Sequence, residues 1–529
     1  MKIQVRINEE GALKNQRYAF TDRYTLLSEL MQNARRAGAS EVRIDYDRRA
    51  RMLSVLDDGS GIDDFQTLLT FSESGWDSAT RDEERPFGVG FSKCLYAATR
   101  CVVNSRGHQI DFETEAALMK HLIDVVSVRD QLGTSVVLYG VELPELAQRI
   151  KRLCWGFPIP VVFNGKSIER PYAIDQMGFA DTEIGQIHVA GTVDGAATRD
   201  TLVFLQGFCV LAPLYCCENP NVVHLDPRRF IARLPDRDKL IDEEEQRRHI
   251  EAAIAGLWRS ALQAHKEKLD AFVFADRFFA AARLWDAIDV FNDVPVLPRE
   301  ICSRITGYPY RQGCDGADYL GKLTQALTRE AVEAGEVRLC DLEAPHAQNM
   351  ALWMFARARD FVIVRAFALD RQHWVRAHVR DFSGSVVEVD VVSEEQSAAF
   401  DGRWISCTVV LCEAYGIRVD GERVEIRNDA MACEDENRAL VPAGECSGNV
   451  VRQISDYIDA TDHWREDDLE HDTDAMAEFI THLRSVDPDR TLRSLIAGLR
   501  LERYPLLQGK SFRVTIGSSQ NRHAIEVLA

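Results

Sequence analysis

Four short stretches between residues 29 and 134 hold residue types that can do chemistry. The first is Glu29-Leu-Met-Gln-Asn33. Four apart on a helix, Glu29 and Asn33 share one face, so a carboxylate and an amide point together. A carboxylate so placed can polarise a water. An amide oxygen is a hard ligand suited to Mg²⁺, which keeps several waters and takes few protein ligands. The second stretch, Asp57-Asp58-Gly59-Ser60-Gly61, follows apolar Val55 and Leu56, which puts Asp57 at the mouth of a buried strand. A buried carboxylate needs a donor, and the exocyclic amine of adenine is one. Gly59 and Gly61 let backbone approach a flat base closely. The third, Phe87-Gly88-Val89-Gly90-Phe91-Ser92-Lys93, opens a helix. Gly88 and Gly90 bare backbone N–H groups where the helix dipole favours anions, and Lys93 adds a full positive charge. That is a phosphate cradle in physical terms, although no G-x-x-x-x-G-K-[ST] motif occurs. The fourth, Gly133-Thr134, enters a strand whose hydroxyl can support the base. Each pattern alone is common. Their shared order and the elements beneath them are not.

Those elements follow from periodicity. The spacing predicts a helix over 21–37, with Leu26, Leu27, Leu30, Met31 and Ala34 as its apolar stripe and Gly38 as its stop. Alternation predicts strands at 41–47 and 51–57. A short helix near 65–71 precedes the polar, charged segment Ser72–Pro86, which reads as a loop. A helix over 88–100, a strand over 101–106, a strand over 132–139 and a helix over 144–154 complete the region. Residues 159–172 read as a hairpin turning at Asn164–Gly165. Residues 186–235 are strand-rich, 242–291 helical, and 292–298 read as a linker. Many carboxylates between 456 and 476 suggest a solvated face.

The chain has 529 residues, which points to two to four domains at roughly 100–200 residues each. The expected division is 1–172, 173–290 and 291–529. No apolar run reaches the roughly 18 residues that span a bilayer, and the N-terminus has no signal-type apolar core, so a cytoplasmic location is expected. The thirteen cysteines form no C-x-x-C or zinc spacing and read as buried free thiols. A net charge of −20 gives no general electrostatic grip on nucleic acid or an anionic membrane.

Taken together, ELMQNARRAGASEVRIDYD, VLDDGSGI, FGVGFSK and GTSVVLY resemble the Bergerat-fold ATPases, the superfamily of gyrase B subunits, ninety-kilodalton heat-shock chaperones, histidine kinases and MutL. The resemblance covers roughly the first third of the chain. It implies an α+β protein opening with a mixed sheet covered by helices. A transducer-like α/β domain follows, and an unassigned α+β region comes last. It implies ATP and Mg²⁺ as cofactors, Glu29 as general base and Asn33 as metal ligand. It makes Asp57 the adenine-reading aspartate, with Gly59 and Gly61 beside the base and Thr134 near it. Ser72–Pro86 becomes a nucleotide lid hinged at Gly88 and Gly90. Glu29 separates the chain from histidine kinases, which lack a water-activating residue there. Where many relatives carry an Asp three residues after the metal-binding Asn, this chain has Arg36, which bears on the hydrolysis rate. In some relatives a basic residue of the second domain reaches the γ-phosphate, and Arg228, Arg229, Arg237 and Lys239 are the candidates here.

The implied function is an ATP hydrolase acting as a nucleotide-gated switch or chaperone-like machine. It would have a protein client, an ATP-dependent homodimer and no membrane partner. The alternatives are a MutL-like DNA-repair or topology ATPase, which the charge disfavours, and a slow-turnover ATP-binding regulator or defence component.

Overall fold

The computed structural model describes residues 3–4, 8–19, 22–71, 75–76, 80, 90–233, 239–310, 318–433, 437–455, 466–517 and 523–528. It divides into two compact units, Met1–Phe291 and Asn292–Ala529.

The first unit opens with α1 (Glu9–Ala19) and α2 (Thr25–Arg36), followed by strands β1 (Val42–Asp47) and β2 (Met52–Asp57). Next come α3 (Gln66–Leu69), α4 (Ser92–Ala97), β3 (Arg100–Ser105), β4 (His108–Glu113) and α5 (Thr114–Leu118). Strands β5 (Val125–Ser127) and β6 (Thr134–Tyr139), helix α6 (Leu146–Cys154) and strands β7 (Val161–Phe163) and β8 (Lys166–Ser167) close the region. The strands form one mixed sheet in the order β5-β4-β3-β6-β2-β1-β7-β8, in which only β1 and β7 run parallel. Alternate residues of its strands, such as Val42, Ile44, Leu53, Val55, Val103, Val136 and Leu138, pack against α2, α4 and α6. Period-2 strands and a period-3.6 helix thus bury one shared apolar layer. The Asn164–Gly165 turn has positive φ at both residues, +46° and +74°, as a type I′ hairpin requires.

Helix α2 ends as the sequence suggests. Gly38 adopts φ +72°, its N–H bonds the Arg35 carbonyl, and the Ala39 N–H bonds that of Ala34, a Schellman closure. The expected helix over 88–100 is shorter, because the Thr99 N–H bonds the Tyr139 carbonyl at 2.8 Å and draws the chain into the sheet.

A second sheet in this unit has the order β12-β11-β13-β10-β9. It is built from β9 (Ala180–Thr182), β10 (Gly185–His188), β11 (Thr201–Leu205), β12 (Phe208–Leu211) and β13 (Asn221–Leu225). Between the sheets, Tyr172 packs edge-on to Trp155, and its carbonyl bonds His224 Nε2 at 2.7 Å. Helices α7 (Glu243–Lys268) and α8 (Ala271–Leu284) and a 3₁₀ turn at Ile288–Phe291 end the unit.

In the second unit, the segment expected as a linker is packed. Val294, Val296 and Leu297 are buried, and Val294 accepts the indole N–H of Trp374 at 2.8 Å. The reading as a linker weighed its prolines and missed its alternating apolar residues. Five strands, β14 (Cys302–Ile305), β15 (Leu320–Lys322), β16 (Leu339–Asp341), β17 (Val362–Val364) and β18 (Val379–Asp381), make one sheet. A second sheet centres on the long antiparallel pair β19 (Val387–Asp401) and β20 (Ser406–Val419), with α9 (Met350–Ala358) packed in the same core. Of the carboxylate-rich stretch, α10 (Glu466–Leu483) is described, and it corrects the expectation of a purely solvated face. Asp472 is fully buried and accepts the backbone N–H groups of Arg403, Trp404 and Ile405 at 2.7, 2.7 and 3.1 Å. Burial raises its pKa, but those three bonds more than offset this and leave it lowered. No described helix is long and apolar enough to cross a membrane.

Candidate functional site

Helix α2 presents Glu29 and Asn33 one turn apart, with Glu29 buried and Asn33 half-buried. The chain at Gly90 lies directly against Glu29. A Cβ there would fall 2.7 Å from the Glu29 carboxyl carbon, so no side chain fits without moving the carboxylate. Sequence reasoning assigns Gly90 to phosphates, and the structure adds that its missing side chain makes room for Glu29.

On α4, the buried Lys93 and Glu29 both act on the buried Cys94 thiol. Burial, Cys101 and Glu29 push that thiol well up, while Lys93 pulls it down. Gly88 lies outside the described residues, as do most of Ser72–Pro86 and Arg237.

Asp57 ends β2 directly opposite Thr134 on β6. Its Oδ1 accepts the Gly59 N–H at 2.9 Å, and the Thr134 N–H also bonds the carboxylate. Burial pushes its pKa above the ordinary 3.8, against those two amides, and Asp58 adds to the rise. Asp58 goes the other way. The Ser40 hydroxyl and the Glu41 and Ser40 amides hold it down. Its Oδ1 accepts the Ser40 and Glu41 N–H groups at 2.7 and 3.1 Å, which ties the exit of α2 to the mouth of β2. The Ser60 N–H bonds the Ala37 carbonyl at 2.8 Å across the same junction. The elements carrying Asn33 and Asp57 are thereby fixed to each other.

The glycines are spatial necessities. A Cβ on Gly59 would lie 2.7 Å from that of Ala37, and one on Gly133 2.6 Å from the Asp57 carbonyl carbon. Gly61 has φ +78°, and its Cβ would lie 2.9 Å from Ser105 Oγ.

Ser105 is a member of the site that sequence reasoning missed. Fully buried at the end of β3, its hydroxyl accepts the Ile62 N–H at 2.9 Å, donates to the Gly133 carbonyl at 2.9 Å and lies 3.2 Å from Thr134 Oγ1. It joins the glycine loop to the Gly133-Thr134 turn. Its one sequence signal is a hydroxyl two residues beyond the apolar run Cys101-Val-Val. Asp58 was legible only as half of an Asp-Asp pair.

A cavity of about 300 Å³ lies on the flank of α2 next to the Glu29–Asn33 face. Thr25, Ser28 and Gln32 line it from α2, Arg149 and Arg152 from α6, and Gln206, Phe208 and Val210 from the second sheet. There the Gln32 amide donates to Gln206, at the tip of the β11–β12 hairpin. Gln206 and Gly207 have φ +54° and +87°, a type I′ turn. Of the basic candidates, Arg228 and Arg229 are exposed, with Arg229 3.9 Å from Glu183, and the Lys239 side chain is exposed.

A mixed sheet, a buried Glu one turn from an Asn, and an Asp at a strand mouth ringed by glycines define a nucleotide-binding module of the Bergerat type. Residues 24–133 match the family described as "Histidine kinase-, DNA gyrase B-, and HSP90-like ATPase", so this N-terminal domain is of the ATP-binding, ATPase kind. A solved structure of the ATPase region of Saccharomyces cerevisiae topoisomerase II bound to ICRF-187 (dexrazoxane) is similar at 10% identity and a TM-score of 0.29, over 41% of this chain and 77% of that one. No curated protein matches the chain.

The raised pKa of Asp57 makes a pH prediction. An adenine amine is held best by the ionised carboxylate, whose oxygens only accept, whereas the protonated form brings an O–H donor into the site. The folded pKa is raised, so the ionised form is lost as pH falls through a value above 3.8. Calorimetric ATP affinity is expected to fall on acidification with its midpoint above that value. A midpoint at or below it would detach Asp57 from binding.

Proposed function

We propose that the chain is a Mg²⁺-dependent ATPase whose nucleotide state is passed from α2 to the second sheet. Adenine docks on Asp57 and Thr134, over Gly59 and Gly61. Phosphates lie toward Gly88, Gly90 and Lys93. Asn33 offers the metal an amide oxygen, the donor chemistry that Mg²⁺ accepts beside phosphates and waters. When bound, the ion neutralises phosphate charge. Glu29 takes the proton of the attacking water. The donor set fits the ligand: one half-buried acceptor for a base amine, four glycines (Gly59, Gly61, Gly90 and Gly133) whose Cβ atoms have no room, and a buried carboxylate one turn from the amide.

The observation that carries the switching part is the Gln32–Gln206 bond. Gln32 sits on α2 between Glu29 and Asn33 in sequence, so a shift of α2 on binding ATP reaches the β11–β12 tip directly. Such coupling requires contacts that differ between the two states. Ser72–Pro86 acts as the lid, and closure brings the N-terminal domains of two copies together in ATP. A protein client fits the acidic chain better than DNA.

Hydrogen exchange tests the coupling. With a non-hydrolysable ATP analogue and Mg²⁺, residues 203–211 are expected to change protection in the wild type. In Gln206→Ala they are expected to change several-fold less while ATP affinity holds. Equal changes in both proteins would remove this contact from the coupling.

A further inference from the structure

None of Glu29, Asn33, Asp57 and Lys93 is among the residues that line the cavity beside α2. The cavity is therefore distinct from the nucleotide site, and helical period accounts for its walls. On α2, Thr25, Ser28 and Gln32 stand at i, i+3 and i+7 and share one face. On α6, Leu146, Ile150 and Cys154 are buried at i, i+4 and i+8. That leaves Arg149, Arg152 and Leu153, at i, i+3 and i+4, to line the cavity.

The remaining wall comes from the β11–β12 hairpin, with Leu205, Phe208, Val210 and Leu211. Its position is fixed twice, by the Gln32–Gln206 bond and by the packing of Phe208 on Phe157. All three walls belong to one compact unit, so the cavity is preformed. Its volume of about 300 Å³ stands at the lower end of the roughly 300–1,000 Å³ usual for ligand pockets, which suits a compact ligand.

Charge narrows the ligand. Arg149 is already engaged, since Asp22 holds it at 2.6 Å and the Tyr24 ring centre lies 5.3 Å from its guanidinium. Arg152 makes no ion pair with a described residue, and its guanidinium lies 5.6 Å from the Trp155 ring centre. An exposed arginine without a carboxylate is ordinary. One that lines a preformed cavity with an apolar wall is not. Two arginines against one aspartate leave the lining at +1, in a chain of −20. One surplus positive charge matches one negative charge. A carboxylate takes the guanidinium fork with two parallel hydrogen bonds, and Leu205, Phe208 and Val210 offer contact to an apolar body. A dianion would face the acidic chain with half its charge unmatched.

We propose that this cavity binds a small monocarboxylate with a compact apolar body, its carboxylate on Arg152 and its body against the β11–β12 hairpin. Binding does not rest on the ATPase reading.

Fluorine NMR titration of the full chain with 4-fluorobenzoate tests this. The expected dissociation constant is about 1 mM or tighter, and a value above about 10 mM overturns the proposal. Arg152→Gln is expected to raise it about tenfold or more. Ser28→Phe is expected to abolish binding by filling the cavity from α2 with every charge kept. Circular dichroism of both variants should match wild type, because Arg152 is exposed and the Ser28 hydroxyl bonds only within its own helix turn, to the Thr25 carbonyl. If Arg152→Gln binds as wild type does, the carboxylate is not on Arg152. If Ser28→Phe still binds, the ligand lies on the surface and not in the cavity. Either result overturns the proposal. Acetate at equal concentration should not displace the probe, and displacement would show that the apolar wall is not used, which also overturns it. Saturating non-hydrolysable ATP analogue should leave the titration unchanged. Competition between the two would place the probe in the nucleotide site and overturn the proposal. An analogue that calorimetry finds not to bind sinks the ATPase reading and leaves this titration standing.

Discussion

Glu29→Gln is expected to bind ATP with wild-type affinity and to turn it over about 10²–10⁴-fold more slowly, the usual cost of losing a general base. Glutamine keeps the volume that fills the space left by Gly90, so the fold at α2 should survive and the loss reports on proton transfer. The buried setting of Glu29 suits this role, because a carboxylate shielded from bulk water is not drawn off by solvent. A coupled-enzyme assay gives the rate and calorimetry the affinity. Turnover at the wild-type rate would show that Glu29 is not the base. A matching loss of affinity would show that it holds the nucleotide instead.

Asp57→Asn should weaken ATP binding by about five- to 150-fold, the equivalent of about 1–3 kcal/mol for a buried donor left unmatched. The substitution keeps shape but gives the site an NH₂ group where the adenine amine brings its own donor. The carboxylate already takes the Gly59 and Thr134 amides. An asparagine oxygen can keep one of them, and its NH₂ then faces either the other amide or the base. Calorimetry on the refolded variant decides this, and wild-type affinity would sink the assignment. Asp58→Asn is the matched control. It should disturb the Ser40–Glu41 clasp and hence stability, with a smaller effect on affinity.

The individual groups of the site were legible, and their assembly was not. Glu29 and Asn33 share a face by helical period alone, and Val55 and Leu56 mark Asp57 as a strand end. The pairing of Asp57 with Thr134, however, joins β2 to a strand far along the chain, and no local pattern sets that register. Ser105 was overlooked for the same reason, since its hydroxyl matters only once β3 lies beside β6. Helix α4 stops early because a sheet hydrogen bond at Thr99 outweighs the local preference for helix. Asp472 looked like one more carboxylate in an acidic run, and only the turn between β19 and β20 reveals it as the acceptor of three amides. Composition can count charges but cannot tell which one is inside. The mixed α+β character and the Bergerat opening came through because they rest on period and order, which are local.

The bond between Gln32 and Gln206 has a practical consequence for anyone cutting the gene. A fragment ending at residue 172 resembles a self-contained ATP-binding domain, but it would strip the covering from one side of α2. Phe157 packs on Phe208 with ring centres 5.4 Å apart, and Trp155 and Tyr172 share a cluster with Phe204. Severing the chain there turns this seam into an oily outer surface and leaves Gln32 without its neighbour. Such a fragment should be sticky and short-lived in solution. A cut after Phe291 keeps both sheets and their seam together in one compact unit, from which nucleotide chemistry should be measured.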